Sequence, residues 1–87
     1  MELQIEHIGG YCPVQAEGTV NGSPFYFRAR GKRWSMNIGD DPVGIALGKK
    51  GWHREETYEG AGYMPLDIAE HIIRECAEQF TNENRSG

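Results

Sequence analysis

Four cations crowd an aromatic run in TVNGSPFYFRARGKRWSM, residues 19–36, where Arg28, Arg30, Lys32 and Arg33 follow Phe25, Tyr26 and Phe27. Exposed aromatics stack on bases while arginines take phosphates, so this composition suits a surface for single-stranded nucleic acid. A second set, His7, Cys12, His71 and Cys76, has the side-chain chemistry of zinc ligands. On a helix, however, His71 and Cys76 stand about 140° apart around the axis and cannot reach one ion. A third set is acidic: Asp40, Asp41, Glu55, Glu56 and Glu59, then Asp67, Glu70, Glu75 and Glu78. Carboxylates at this density are drawn to the cationic channels that bind nucleic acid, because the steering field is the same. For catalysis the chain offers little. Ser23 and Ser35 stand in no nucleophile motif, and GKKG at 48–51 lacks the spacing and the Lys-Ser/Thr pair of a phosphate loop. The sequence therefore assigns no catalytic residue, no metal ligand and no cofactor, and reads as a non-enzyme.

Which set is available to a partner depends on the strand faces that carry it. Asn21-Gly22 between alternating apolar residues is a strong hairpin signal. With those two residues as the loop, Gly18 faces Phe25, Ala16 faces Phe27 and Val14 faces Ala29, all on one side by strand alternation. Gly31-Lys32 supplies the next loop and sets Ala29 opposite Trp34, Phe27 opposite Met36 and Phe25 opposite Ile38. Gly9-Gly10 supplies a third, pairing Ile5 with Val14, Leu3 with Ala16 and His7 with Cys12. Pro13 strains this first hairpin because it cannot donate to the ladder, so a bulge or weak pairing is expected near Glu6 and Pro13. The apolar face then holds Phe25 and Phe27, and Tyr26, Arg28, Arg30 and Arg33 point outward.

After Ile38 the run GDDPVG is turn-rich. Ile45 to Tyr58 is either two short strands around GKKG or an ordered loop, and Glu59 to Met64 is a connection. Pro65 opens a helix whose apolar side collects Leu66, Ile68, Ala69, Ile72, Ile73, Cys76, Ala77 and Phe80. The fold expected is α+β: an antiparallel meander of about four strands, with room for one or two more short ones, and a C-terminal amphipathic helix on one face. Residues 1–80 form one domain and 81–87 a flexible tail.

Composition fits this picture. A chain of 87 residues with 38% hydrophobic and 25% charged residues supports one core. No apolar run approaches the roughly 20 residues of a membrane span, and MELQIEHIGG has no signal-peptide core, so no membrane partner and a cytoplasmic location are expected. In that compartment Cys12 and Cys76 read as reduced core residues. The net charge of −4 is unevenly spread. Residues 1–38 hold four cations against three anions, and residues 39–87 hold five against ten. Such division bears on partner choice rather than fold. Exposed Trp52, Tyr58 or Tyr63 beside the acids would favour an interface there, since aromatics anchor protein contacts.

The run CPVQAEGTVNGSPFYFRARGKRWSMNIG, with GYMP and a helix beyond it, resembles a group of short hypothetical proteins of proteobacterial prophages and mobile elements, over about a third of the chain. Proteins of that kind include type I anti-CRISPR proteins. The resemblance implies a small inhibitor that blocks the nucleic-acid-binding surface of a type I CRISPR surveillance complex in the host bacterial cytoplasm. A Cas subunit would be its protein partner. It brings no assigned site residues. The residues themselves offer two docking surfaces: an acidic one at Asp40, Asp41, Glu55, Glu56 and Glu59, and the outer sheet face at Tyr26, Arg28, Arg30 and Arg33. The alternatives are a nucleic-acid-binding module using that basic face, or a regulatory or structural domain without ligand.

Overall fold

A computed structural model describes residues 1–84. Its strands are β1 (Leu3–Gly9), β2 (Val14–Val20), β3 (Ser23–Arg30), β4 (Arg33–Ile38) and β5 (Trp52–Thr57). They form one antiparallel sheet in the order β1-β2-β3-β4-β5. A short helix α1 (Pro42–Ala46) lies between β4 and β5, a 3-10 turn spans Ala61–Tyr63, and α2 spans Leu66–Glu83. The molecule is thus an α+β fold: an open five-stranded meander with one C-terminal helix. β5 is the further strand within residues 45–58.

The two central hairpins have the register that turn chemistry predicts, with Gly18 opposite Phe25 and Ala16 opposite Phe27, then Phe27 opposite Met36 and Ala29 opposite Trp34. Asn21 and Gly22 carry positive φ of 50° and 84°, as the tight turn between β2 and β3 requires. The first hairpin differs. β1 pairs Leu3 with Val20, Ile5 with Gly18 and Ile8 with Ala16, and the turn is the wider segment 10–13. Pro13 has no N–H for the ladder, and the Cys12 N–H donates to the Gly62 carbonyl (2.7 Å) rather than to β1. The expected irregularity does fall at Glu6, where the register shifts between Ile5 and His7. One extra residue there is what allows Leu3, Ile5 and Ile8 to share the inner face, since an unbroken strand would turn Ile8 outward.

The inner face and α2 enclose the core. Phe25, Phe27, Met36, Val14 and Val20 meet Ala69, Ile73, Cys76 and Ala77, all nearly inaccessible to solvent. Phe27 stacks on Trp34 with ring centroids 6.0 Å apart. Each large side chain buried in this way stabilises the fold by about 1.5–3 kcal/mol. Leu66 and Ile68 depart from the expected helix face: they are exposed, whereas Ala69 of the same turn is fully buried. Thr81 to Glu83 continue the helix, and residues 85–87 of the expected tail lie outside the described residues. Cys76 is buried but Cys12 is exposed in the widened turn, so only Cys76 is a core cysteine, and both are free thiols. No helix among the described residues is long and apolar enough to cross a membrane.

Candidate functional site: the outer sheet face

α2 covers the inner face and leaves the outer one to smaller elements. Ile45–Leu47 is not a strand. Asp41 caps the start of α1 by accepting from the Gly44 N–H (3.0 Å), and Pro42 fills the first turn, where its missing donor costs nothing. α1 then folds over one end of the outer face. Ile45, 6% exposed, seats against Gly39 and Gly51, where a Cβ would lie 2.7 Å and 2.2 Å from its Cδ1. The Asp41 carboxyl is held below its usual range by the Lys49 ammonium (3.0 Å) and then by the Gly44 N–H.

Under α1 lies Asn37, the one fully buried polar side chain of the described residues. Its carbonyl oxygen can only accept, so the 2.6 Å contact with His53 is a hydrogen bond donated by Nδ1–H. Its Nδ2 donates to the Tyr26 carbonyl (3.4 Å). On its other side His53 reaches toward Glu55, with Nε2 3.7 Å from Oε1.

Cross-strand pairing sorts the charges into rows. Gln15, Arg28, Ser35 and Glu55 form one row, and Arg30, Arg33 and Thr57 form the next. Arg30 and Arg33 are therefore like charges directly opposite each other, an arrangement that destabilises a sheet. Arg33 is relieved by Glu55, Nη1 to Oε2 3.3 Å. Arg28 and Arg30 are exposed and have no carboxylate within 4.0 Å among the described residues. The three arginines line a shallow depression of about 300 Å³ together with Ser35, His53, Glu55 and Ala46 of α1. Tyr26 is half-buried at the neighbouring row, its hydroxyl accepting from Gln15 Nε2 (3.1 Å). The four outer-face residues read from sequence thus share one surface.

The acidic candidates do not. Glu55 and Glu56 are adjacent on β5 and project to opposite faces by strand alternation. Glu55 joins Arg33, while Glu56 accepts from Arg54 Nε (2.7 Å) on the side that faces α2. There Arg54 also lies 5.4 Å from the Trp34 ring and donates to Gln79. Asp41 belongs to the α1 cap, and Asp40 and Glu59 stand exposed in separate connections. Trp52 and Tyr58 are half-buried, with Trp52 edge-on to Phe80 at 6.2 Å. Tyr63 is exposed and packs on Tyr11 (5.9 Å).

His7 and Cys12 are not partners. His7 is exposed opposite Glu17, and His71 is exposed on α2, 3.4 Å from Glu75. Among the described residues no three His, Cys, Asp or Glu side chains gather as metal ligands. Burial pushes the Cys76 thiol up to about 11, away from the thiolate a nucleophile needs.

Sequence reasoning missed Asn37, His53 and α1. The Asp41-Pro42 pair was a helix-start signal, and Asn37 falls on the outward parity of β4. No protein-family model, curated protein or solved structure matches the chain.

Proposed function

We propose that this protein is a small non-catalytic binding domain that docks a protein partner on its outer sheet face and acts as an inhibitor. The observation that carries the reading is the corner of that face where Arg28 and Arg30 stand exposed without carboxylate partners beside the like-charged Arg33. Arginine forks suit such a role because they bind carboxylates in two-pronged geometry and lose little freedom in doing so. The resemblance to short prophage proteins supplies the partner class: a Cas subunit of a type I CRISPR surveillance complex. Docked through its arginines, the domain would hold its acid-rich second half over the channel that takes nucleic acid.

The test is target-DNA binding by a purified type I surveillance complex, measured with and without the protein. Near-stoichiometric inhibition that is lost in an Arg28→Glu/Arg30→Glu variant is the expected result. Full DNA binding at a large excess of folded protein would rule the inhibitor reading out.

The same unpaired arginines favour one second reading, a nucleic-acid-binding module. Tight binding of single-stranded DNA or RNA that weakens steeply with salt and disappears in Arg28→Glu would establish it instead.

A further inference from the structure

Opposed arginines are a cost that folding alone does not repay. Arg30 faces Arg33 across the β3–β4 pair, Lys32 occupies the turn between them, and Glu55, the only carboxylate among the described residues that pairs with this corner, is taken by Arg33 and neighbours His53. A sheet built for stability would place an opposite charge or a β-branched residue at position 30. The surface beside this corner is apolar. Since Ile45 points down onto the sheet, Val43 and Leu47 point away from it on the far side of α1, and they are 53% and 84% exposed. Ala46 joins that crest to the depression, which Ser35, His53 and the Arg33-paired Glu55 also line.

We infer that this corner takes an acidic polypeptide segment that also carries a large apolar residue, with carboxylates on Arg28 and Arg30 and the apolar side chain on Val43 and Leu47. The inference rests on the outer face being the docking surface and adds the chemistry of what docks. A nucleic-acid strand fits less well on three counts. The face has one half-buried tyrosine, already engaged by Gln15, so it offers no stacking platform. An exposed leucine and valine give a phosphate backbone nothing. The net charge of −4 repels a long polyanion, whereas a short acidic segment needs only the local field.

The test uses the intact protein, isotope-labelled for amide NMR, titrated with a short glutamate–leucine peptide, a glutamate–serine peptide of equal charge, inorganic phosphate and oligothymidylate. Saturable shifts at Arg28, Arg30, Ser35, Ala46 and Leu47 are expected with the glutamate–leucine peptide. The glutamate–serine peptide and the oligonucleotide should bind those residues at least about tenfold more weakly. Arg30→Thr should weaken peptide binding roughly ten- to a hundredfold, the loss of one charge-assisted contact. The same substitution should raise the thermal midpoint by roughly 1–5 °C, as the like-charge pair disappears. Binding lost together with stability would mean that Arg30 is structural and would overturn the inference. Equal or tighter binding of oligothymidylate, or of phosphate alone, would overturn it in favour of phosphate chemistry. If the peptide leaves these amides unmoved while Arg28→Glu/Arg30→Glu still abolishes inhibition of the surveillance complex, the docking face stands and the occupant's chemistry is wrong. If the double variant inhibits as well as the parent, the docking face itself fails.

Discussion

Replacing Gly18 by alanine adds one methyl group where β1 and β2 lie against each other, and its cost follows from the geometry. The new Cβ would sit 1.9 Å from the Gln4 carbonyl oxygen and 2.8 Å from Phe25 Cε2. Neither neighbour is a free chain end: one is strand backbone and the other a fully buried ring. β1 must therefore withdraw by about 1 Å or more, which breaks the ladder bonds around the Ile5–Gly18 pair. Two such bonds at about 1 kcal/mol each, plus about 1–3 kcal/mol for overpacking at Phe25, give a loss of roughly 3–5 kcal/mol. In a domain of this size that lowers the thermal midpoint by on the order of 12–40 °C. Gly9→Ala is the matched control, because Gly9 lies in the partner strand and its Cβ would meet nothing within 4 Å. Lower unfolded-state entropy should make that variant neutral or more stable by up to about 1 kcal/mol. Circular dichroism melts and urea titrations of both variants supply the measurement. A Gly18→Ala protein that melts within about 3 °C of the parent would refute the reasoning. It would point instead to the register that Gly9-Gly10 alone predicts, in which Ile5 pairs with Val14 and Gly18 lies beyond the body of β1.

Four further outcomes are expected. Under native conditions a thiol reagent at pH 8 should modify Cys12 quickly and Cys76 only on unfolding, since Cys76 is buried and its thiol is pushed up to about 11; equal rates would contradict its burial. The folded state favours the neutral Cys76 thiol, so its contribution to stability is complete below the ordinary value of 9.0 and declines as pH rises from there toward about 11. Urea midpoints across that window should fall less in Cys76→Ala than in the parent. The Asp41 carboxyl has the opposite sign: held below 3.8 by Lys49 and the Gly44 N–H, it supports the α1 cap above that pH and ceases to do so as pH falls through its lowered value. Asp41→Ala should accordingly speed amide exchange at Gly44 and Leu47 while leaving the β2–β3 ladder protected, and unchanged exchange would show that α1 does not depend on this cap. Phe27→Ala, at a fully buried position, should cost about 3–5 kcal/mol in urea unfolding; a loss under 1 kcal/mol would place Phe27 outside the core.

The two central hairpins and the C-terminal helix were legible because their signals are local. Asn21-Gly22 and Gly31-Lys32 set loop length, loop length sets register, and register puts Phe25, Phe27, Trp34 and Met36 on one side. The first hairpin was not legible from its Gly-Gly pair. Pro13 and the Cys12–Gly62 hydrogen bond move that turn, and a bulge is needed to turn Ile8 inward. α1 was hidden for another reason: in a five-residue helix the Asp-Pro start signal has too little periodic sequence after it to stand out.

By itself the sequence determined which residues face outward, since alternation along a strand is a property of the backbone, and so Tyr26, Arg28, Arg30 and Arg33 had to share a surface. Only the tertiary structure decided which of those charges are satisfied. Arg33 finds Glu55 because β5 returns beside β4 in one particular register, 22 residues later in the chain, whereas the row that holds Arg30 ends at Thr57 without a carboxylate. The acids were divided in the same way, Glu55 to the arginine face and Glu56 to Arg54 beneath α2. Which charges remain available to a partner depends on contacts between distant segments, and local pattern carries no record of them.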